Sequence, residues 1–353
     1  MKRSILISGL LIAGVTSAAL AAAPRAKFRE REKDVLSPVY TVDKKYKSMM
    51  GPQSTTEVAL GDPAKKELVW ITGYRANMVG ADGNSSMPQE FMCHSNLDLD
   101  PSKHAAALDA QGGISGRLFT LSQGQFDIRF PKGFGIPMRS DEKLSLTTQV
   151  LNLNIAKPKD LKVRHRVTVR YARDAEVEGK MQPLFQKSAY GLALLEGPDG
   201  HFGKDPGDGH GEGCLMRENA SEHEYDDPQG RRFTGHWVVK PGREVNRTDA
   251  TRLIGVPYDT TAHYIAVHLH PFAESLELVD KTAKKTVFKS KARNYAEKIG
   301  LEHVEYLSSA EGIPFYEDHE YELVSTYNNT TKEPQDSMAV MYIYLLDKEF
   351  ERP

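Results

Sequence analysis

Apolar and polar positions alternate with a period of two along much of this chain. In Val163-Arg164-His165-Arg166-Val167-Thr168-Val169-Arg170-Tyr171, the apolar and aromatic side chains and His165 take one parity, and Arg or Thr takes the other. An extended backbone sends successive side chains to opposite faces, so this run predicts a half-buried antiparallel strand. Similar short runs lie at 68–74, 144–153, 190–195, 233–239, 264–270, 276–279, 321–327 and 338–346, bounded by Gly, Pro, Asn and Asp clusters. The only helical pattern is a short one at 292–298, which a loop turn would also give. Many short strands with turn residues between them predict an all-β chain, two tandem antiparallel β-sandwich domains of jelly-roll-like form. The polar stretch 172–187, with Gly179 and Pro183, is the expected boundary, giving domains at 57–180 and 183–350. Residues 22–56 are charged without sustained periodicity and predict an extended arm, and 197–231 predicts a long surface loop within the second domain.

A length of 353 residues favours two packed domains over one. The first residues stand outside this pattern. Lys2 and Arg3 precede an apolar run at 5–15 and then Ala19-Leu20-Ala21, which reads as a cleaved secretory signal over residues 1–21. A bilayer span needs about 20 apolar residues, so this run is too short and no later segment qualifies; the expected product is periplasmic or secreted with no transmembrane span. Without Lys2 and Arg3 the balance is 44 basic to 48 acidic residues, which leaves no basic field for nucleic acid. In an oxidising compartment Cys93 and Cys214 could form a disulfide, remain separate thiols or serve a metal, and their spacing does not choose among these. Sequons at Asn84, Asn219, Asn246, Asn328 and Asn329 matter only in a glycosylating source.

Seven of the 12 histidines fall between 201 and 270. On a strand, His268 and His270 project from one face roughly 6–7 Å apart, close enough to converge on one metal ion, although two polar residues on a solvated face would give the same pattern. Asp336-Ser337-Met338 opens the last apolar run. A thioether at a sheet margin is ordinarily core filler, but beside two imidazoles it selects copper, above all Cu(I), over hard cations. His236 lies in the strand before the histidine pair and is a candidate third imidazole if those strands are neighbours. His263 has the opposite parity to His268 and is expected to be structural on an uninterrupted strand. His201, Asp205, Asp208, His210 and Cys214 lie in a Gly-rich loop that does not match a calcium-binding helix–loop–helix. His319-Glu320 lacks the second histidine of a zinc-protease helix, and His303 with Glu305 lacks a third partner. No phosphate-binding glycine loop and no Gly-x-Ser-x-Gly elbow occurs.

The segment 261–346 resembles the copper type II, ascorbate-dependent monooxygenases, the family of peptidylglycine α-hydroxylating and dopamine β-monooxygenases. The likeness rests on a strand ending His268-Leu269-His270, a long excursion, the strand Tyr321-Glu322-Leu323-Val324-Ser325-Thr326-Tyr327, then Asp336-Ser337-Met338 leading into Val340-Met341-Tyr342-Ile343-Tyr344. The resemblance implies His268, His270 and Met338 as ligands of the copper at which oxygen is activated. A looser match runs through Phe130-Pro131-Lys132-Gly133-Phe134-Gly135-Ile136-Pro137 to Gln149-Val150-Leu151-Asn152, where Leu151 takes a histidine's place. The adjacent histidine pair of the family's second copper has only Cys93-His94 as counterpart, with His104 ten residues further on. One copper ion is therefore the expectation, serving either oxidation of a small organic substrate with an external reductant, or copper handling or electron transfer without catalysis. A purely structural or adhesive sandwich is a third class.

Overall fold

The computed structural model describes residues 28–108, 115–194, 224–226 and 229–353. The expected signal segment, Cys214, His201, Asp205, Asp208, His210 and His223 lie outside these residues, as does much of the predicted 197–231 loop. The described chain is mostly strand, with short helices at Pro101–Leu108 and Thr251–Ile254, in line with the all-β expectation. A ten-stranded sheet forms the backbone of the molecule. Its main path runs Phe28–Leu36, Leu161–Val177, Leu68–Gly80, Phe134–Arg139, Gln182–Tyr190, Ala339–Leu346, Thr260–Leu269 and Leu307–Phe315. A four-stranded sheet (Gln53–Ala59, Lys143–Val150, Met92–Asp98, Arg117–Leu121) belongs to the N-terminal half, and a five-stranded sheet (Gly242–Asp249, Tyr321–Asn329, Ala273–Asp280, Lys285–Asn294, Leu301–Val304) to the C-terminal half.

The strands Thr260–Leu269 and Ala339–Leu346 are buried on both faces. Their antiparallel register pairs Tyr264 with Tyr344, Ala266 with Tyr342 and His268 with Val340 on one face, and Ile265 with Ile343 and Val267 with Met341 on the other. Tyr264, Ala266, Val340, Tyr342 and Tyr344 belong to the core of the N-terminal half, together with Phe119, Phe130 and Leu97. Ile265, Val267, Leu269, Met341, Ile343 and Leu345 belong to the C-terminal core with Leu276, Leu278 and Leu323. The two halves thus share one wall, which explains why 339–345 reads as a continuous apolar run without alternation.

Several expectations change at this level. The 172–187 stretch is mostly strand: Leu161–Val177 and Gln182–Tyr190 leave four residues, 178–181, between them. Gln182–Tyr190 pairs in parallel with Phe134–Arg139 and antiparallel with Ala339–Leu346, so the sheet crosses the expected boundary unbroken. The 22–56 arm supplies Phe28–Leu36, Tyr40–Val42 and Gln53–Ala59, each hydrogen-bonded into a sheet. The short helix expected at 292–298 is absent: Ala292 and Arg293 pair with Val304 and His303 as strand, and ladder formation overrides a weak local preference. A helix does form at Pro101–Leu108. The Asp100 side chain accepts from the amides of Ser102 and Lys103, and Pro101 sits at the first helical position.

His165 lies on the apolar face of its strand, as the alternation predicts, and is fully buried. Neither ring nitrogen has a hydrogen-bond partner, and its ring meets Tyr40 edge-on. Burial pushes its pKa down to about 3, so the ring is neutral in the fold. Above pH 6.5 the ring is neutral in both folded and unfolded chains and contributes no pH dependence. Below it the unfolded chain takes up a proton that the fold refuses, costing about 1.4 kcal/mol per pH unit down to the folded value.

Two outcomes are expected. Tyr344 packs its ring among Phe119, Phe130 and Tyr264 at 5.7, 4.9 and 6.0 Å and donates to the Leu118 carbonyl. Tyr344→Ala should cost about 3–5 kcal/mol and lower one cooperative calorimetric transition, because both cores share its strand; a second transition left at its original temperature would contradict the shared wall. His165→Leu should remove about 1.4 kcal/mol per pH unit of acid destabilisation between pH 6 and 4, measured as the difference between parent and variant in urea titrations. Parallel pH profiles would show that the ring is protonated inside the fold.

Candidate metal centre

Beyond a bulge at Ala262/Tyr264, the wall strand Thr260–Leu269 carries Tyr264 and Ala266 toward the N-terminal core, and His268 continues that face. His270 follows directly after the strand's end, where the wall gives way to a cavity. The two rings lie 5.3 Å apart, nearly perpendicular, and each residue is buried. His268 Nδ1 stands 2.8 Å from Ser122 Oγ of the N-terminal half. That contact fixes the ring and leaves Nε2 for another partner, the arrangement by which neighbouring groups orient metal-binding imidazoles.

Ser122 sits in a turn that docks one half on the other. Gln125 accepts from the Val267 amide and donates to the Tyr264 hydroxyl, while Gln123 accepts from the Leu301 amide. Gly124 between them has φ +86°, accepts from the Val304 amide, and leaves no room for a Cβ, which would fall 2.6 Å from Val304 Cγ2. Only glycine permits both the backbone conformation and this approach.

His236 precedes the strand Trp237–Val239, which pairs with Gln335–Ser337. This small ladder brings His236 and Asp336 to His270. The His236 and His270 rings are 5.6 Å apart, and Asp336 Oδ2 lies 3.1 Å from His270 Nδ1. One donor atom from each of His236, His270 and Asp336 falls within 4.8 Å of the others, a cluster of metal-binding dimensions. Burial pushes the Asp336 carboxyl up, but the imidazoles of His270 and His236 outweigh it and hold the group below the ordinary carboxylate range. Burial, reinforced by His270, His94 and His236, drives His268 well below the usual imidazole range, so it is neutral, the form that binds metal. Tyr327 ties the cluster's backbone together, accepting from the His270 amide and donating to the Met338 carbonyl.

The sequence-predicted residues separate in instructive ways. His268, His270 and His236 come together. Met338 is buried on the face of the wall that His268 shares, packed into the N-terminal apolar core, and Asp336 two positions earlier adds a carboxylate beside His270 and His236. Asp336 was visible only as the start of the Asp-Ser-Met run; the ladder to Trp237–Val239 that aims it is a non-local pairing. His94 is buried in Met92–Asp98 and its charge adds to the lowering of the His268 pKa, while the convergent group consists of His236, His270 and Asp336. Cys93 is a buried free thiol in a bulge beside it, pushed up to about 11 by burial. His104 does not accompany them: it pairs with Glu142 at 2.8 Å on the helix Pro101–Leu108 and lines a different cavity. His263 keeps the supporting role expected of it but not the expected face, because a bulge at Ala262/Tyr264 interrupts the parity and the ring stacks on Phe134 of the N-terminal core at 4.2 Å. It is structural, donating to the Ser309 carbonyl.

The cluster borders a cavity of about 470 Å³ lined by His268, His270 and Asp336 on one side and by Cys93, Leu151 and Leu153 of the N-terminal half on the other. No helix among the described residues is long and apolar enough to cross a membrane.

No protein-family model and no curated protein matches the chain. Among solved structures, one described as the STIV MCP aligns at 7% identity over 90% of this chain and 97% of that one, with a TM-score of 0.32. The major capsid protein P2 from bacteriophage PM2 aligns at 6% identity over 92% of this chain and 100% of that one, with a TM-score of 0.31. Likeness at this level carries no argument about function.

Proposed function

We propose that the chain is an exported copper-binding protein that holds one ion at His236, His270 and Asp336, with His268 as a further imidazole, facing a pocket for a small organic molecule. The observation that carries this reading is the convergence of two imidazoles and a carboxylate from separate parts of the chain at a buried point beside a cavity. Buried charges persist in proteins where they are paired or coordinate a metal. The donor set is nitrogen and oxygen, which suits divalent first-row ions, and among these Cu²⁺ binds such sites most tightly. The resemblance of 261–346 to the copper monooxygenases supports the same ion, and the pattern of residues 1–21 supports export.

The protein's own groups have defined parts in this reading. Ser122 fixes His268, Tyr327 fixes the backbone at His270 and Met338, and Asp336 lowers the cost of charge near His270. Copper bound here would supply one-electron and oxygen chemistry, with electrons from an external reductant. The cavity keeps room for a reactant beside the imidazoles and favours an oxidoreductase over a closed copper-holding module. The burial of both Asp336 carboxylate oxygens is the feature that favours the module.

Copper retained per chain after loading and desalting checks the assignment. One ion is expected for the parent. His270→Ala should weaken binding at least 100-fold, Ser122→Ala about 10–100-fold as neighbours of metal ligands do, and Met338→Leu less than about threefold. A parent that retains no copper, or a His270→Ala variant that retains it at full affinity, would contradict the proposal.

A further inference from the structure

We infer that the occupant of the cavity beside the histidines is a neutral, apolar organic molecule, its buried end seated against Leu151 and its outer part against the half-buried Ile299 and Phe272; this substrate class rests on the metal reading above. Where the sequence resemblance places an imidazole, Leu151 stands instead, and it is 5% exposed. It lines the cavity opposite His268 and His270, with Leu153 and the thiol of Cys93 on the same side. The N-terminal half therefore contributes an apolar wall where a second set of metal ligands would otherwise be.

The lip repeats the pattern. Pro271 and Phe272 follow His270 directly, and Phe272 holds φ at +72°, a left-handed conformation that a bulky side chain adopts only when its surroundings impose it. Its amide donates to Asn294 Oδ1 at 2.7 Å and its carbonyl accepts from the Asn328 amide at 2.8 Å, so the peptide groups on both sides are held. The result is an aromatic ring fixed on the cavity margin. The charged lining residues Lys47 and Glu333 are exposed, at the solvent side. The one interior carboxylate, Asp336, is engaged by His270 and sealed from water. A ligand bringing a formal charge to the end at Leu151 would lose its hydration without gaining a counter-charge from the side chains there, whereas an apolar one gains by leaving water. A volume of about 470 Å³ lies within the range of pockets that enclose small organic ligands.

Fluorine NMR on the full chain tests this with three probes of one size: 4-fluorotoluene, 4-fluorobenzoate and 4-fluorobenzylamine. The neutral probe is expected to bind the metal-free protein at least tenfold more tightly than either charged one, and its resonance to be strongly broadened in the Cu²⁺-loaded protein and not in the Zn²⁺-loaded one. Leu151→Asp should weaken 4-fluorotoluene at least tenfold while copper stays at one per chain; Ile299→Gln serves the same purpose if the first variant does not fold. Equal binding of the charged probes, or unchanged 4-fluorotoluene binding in a folded variant, overturns the inference. Failure of the metal reading is seen separately as absence of retained copper, and probe titration of the metal-free protein still decides the cavity's preference.

Discussion

The shared wall formed by Thr260–Leu269 and Ala339–Leu346 is the constraint on which the rest depends. Two strands buried on both faces serve two cores at once, so neither half can reorganise its contacts with them without disturbing the other. Where these strands end, the interior must change from apolar packing to something else. His268 and His270 occupy that point, on the face that already points to the N-terminal half. The site is thus the rim of an interface, supplied by Ser122 and Cys93 from one side and by His236, His270 and Asp336 from the other.

Collecting imidazoles and a carboxylate out of water carries a cost. Burial and mutual repulsion keep His268 neutral, while Asp336 stays ionised only because His270 and His236 stand beside it. A lone buried His–Asp pair is weak evidence of a stability device, since an apolar replacement often serves a fold as well. A neutral His268 close to an ionised Asp336 is, in contrast, a set of protonation states that a metal site requires. His165 marks the difference. It is equally buried, has no convergent partners and gives the fold only an acid-labile spot.

Much of the architecture was legible because strand alternation is local. Val163 to Tyr171, Tyr321 to Tyr327 and the final apolar run all fall within observed strands. The domain boundary was harder to see, because polar residues at 172–187 suit both a linker and a strand crossing between halves. The His268 and His270 pairing was readable from parity, but His236 arrives through the ladder to Gln335–Ser337 and not from a strand beside Thr260–Leu269. Asp336 and Ser122 were not readable, since their roles come from pairings 98 and 146 residues apart in sequence. Nor could parity place His263, whose strand is bulged, or send His104 to Glu142, a partner 38 residues away.

The central claim concerns where the ion sits, and diffraction from copper-loaded crystals recorded on both sides of the copper absorption edge addresses it most directly. The account requires one anomalous peak, bounded by His236, His270 and Asp336 with His268 beside it. A peak centred on Met338 in the absence of Asp336, a second peak near Cys93 and His104, or no peak in crystals soaked with excess copper would contradict it.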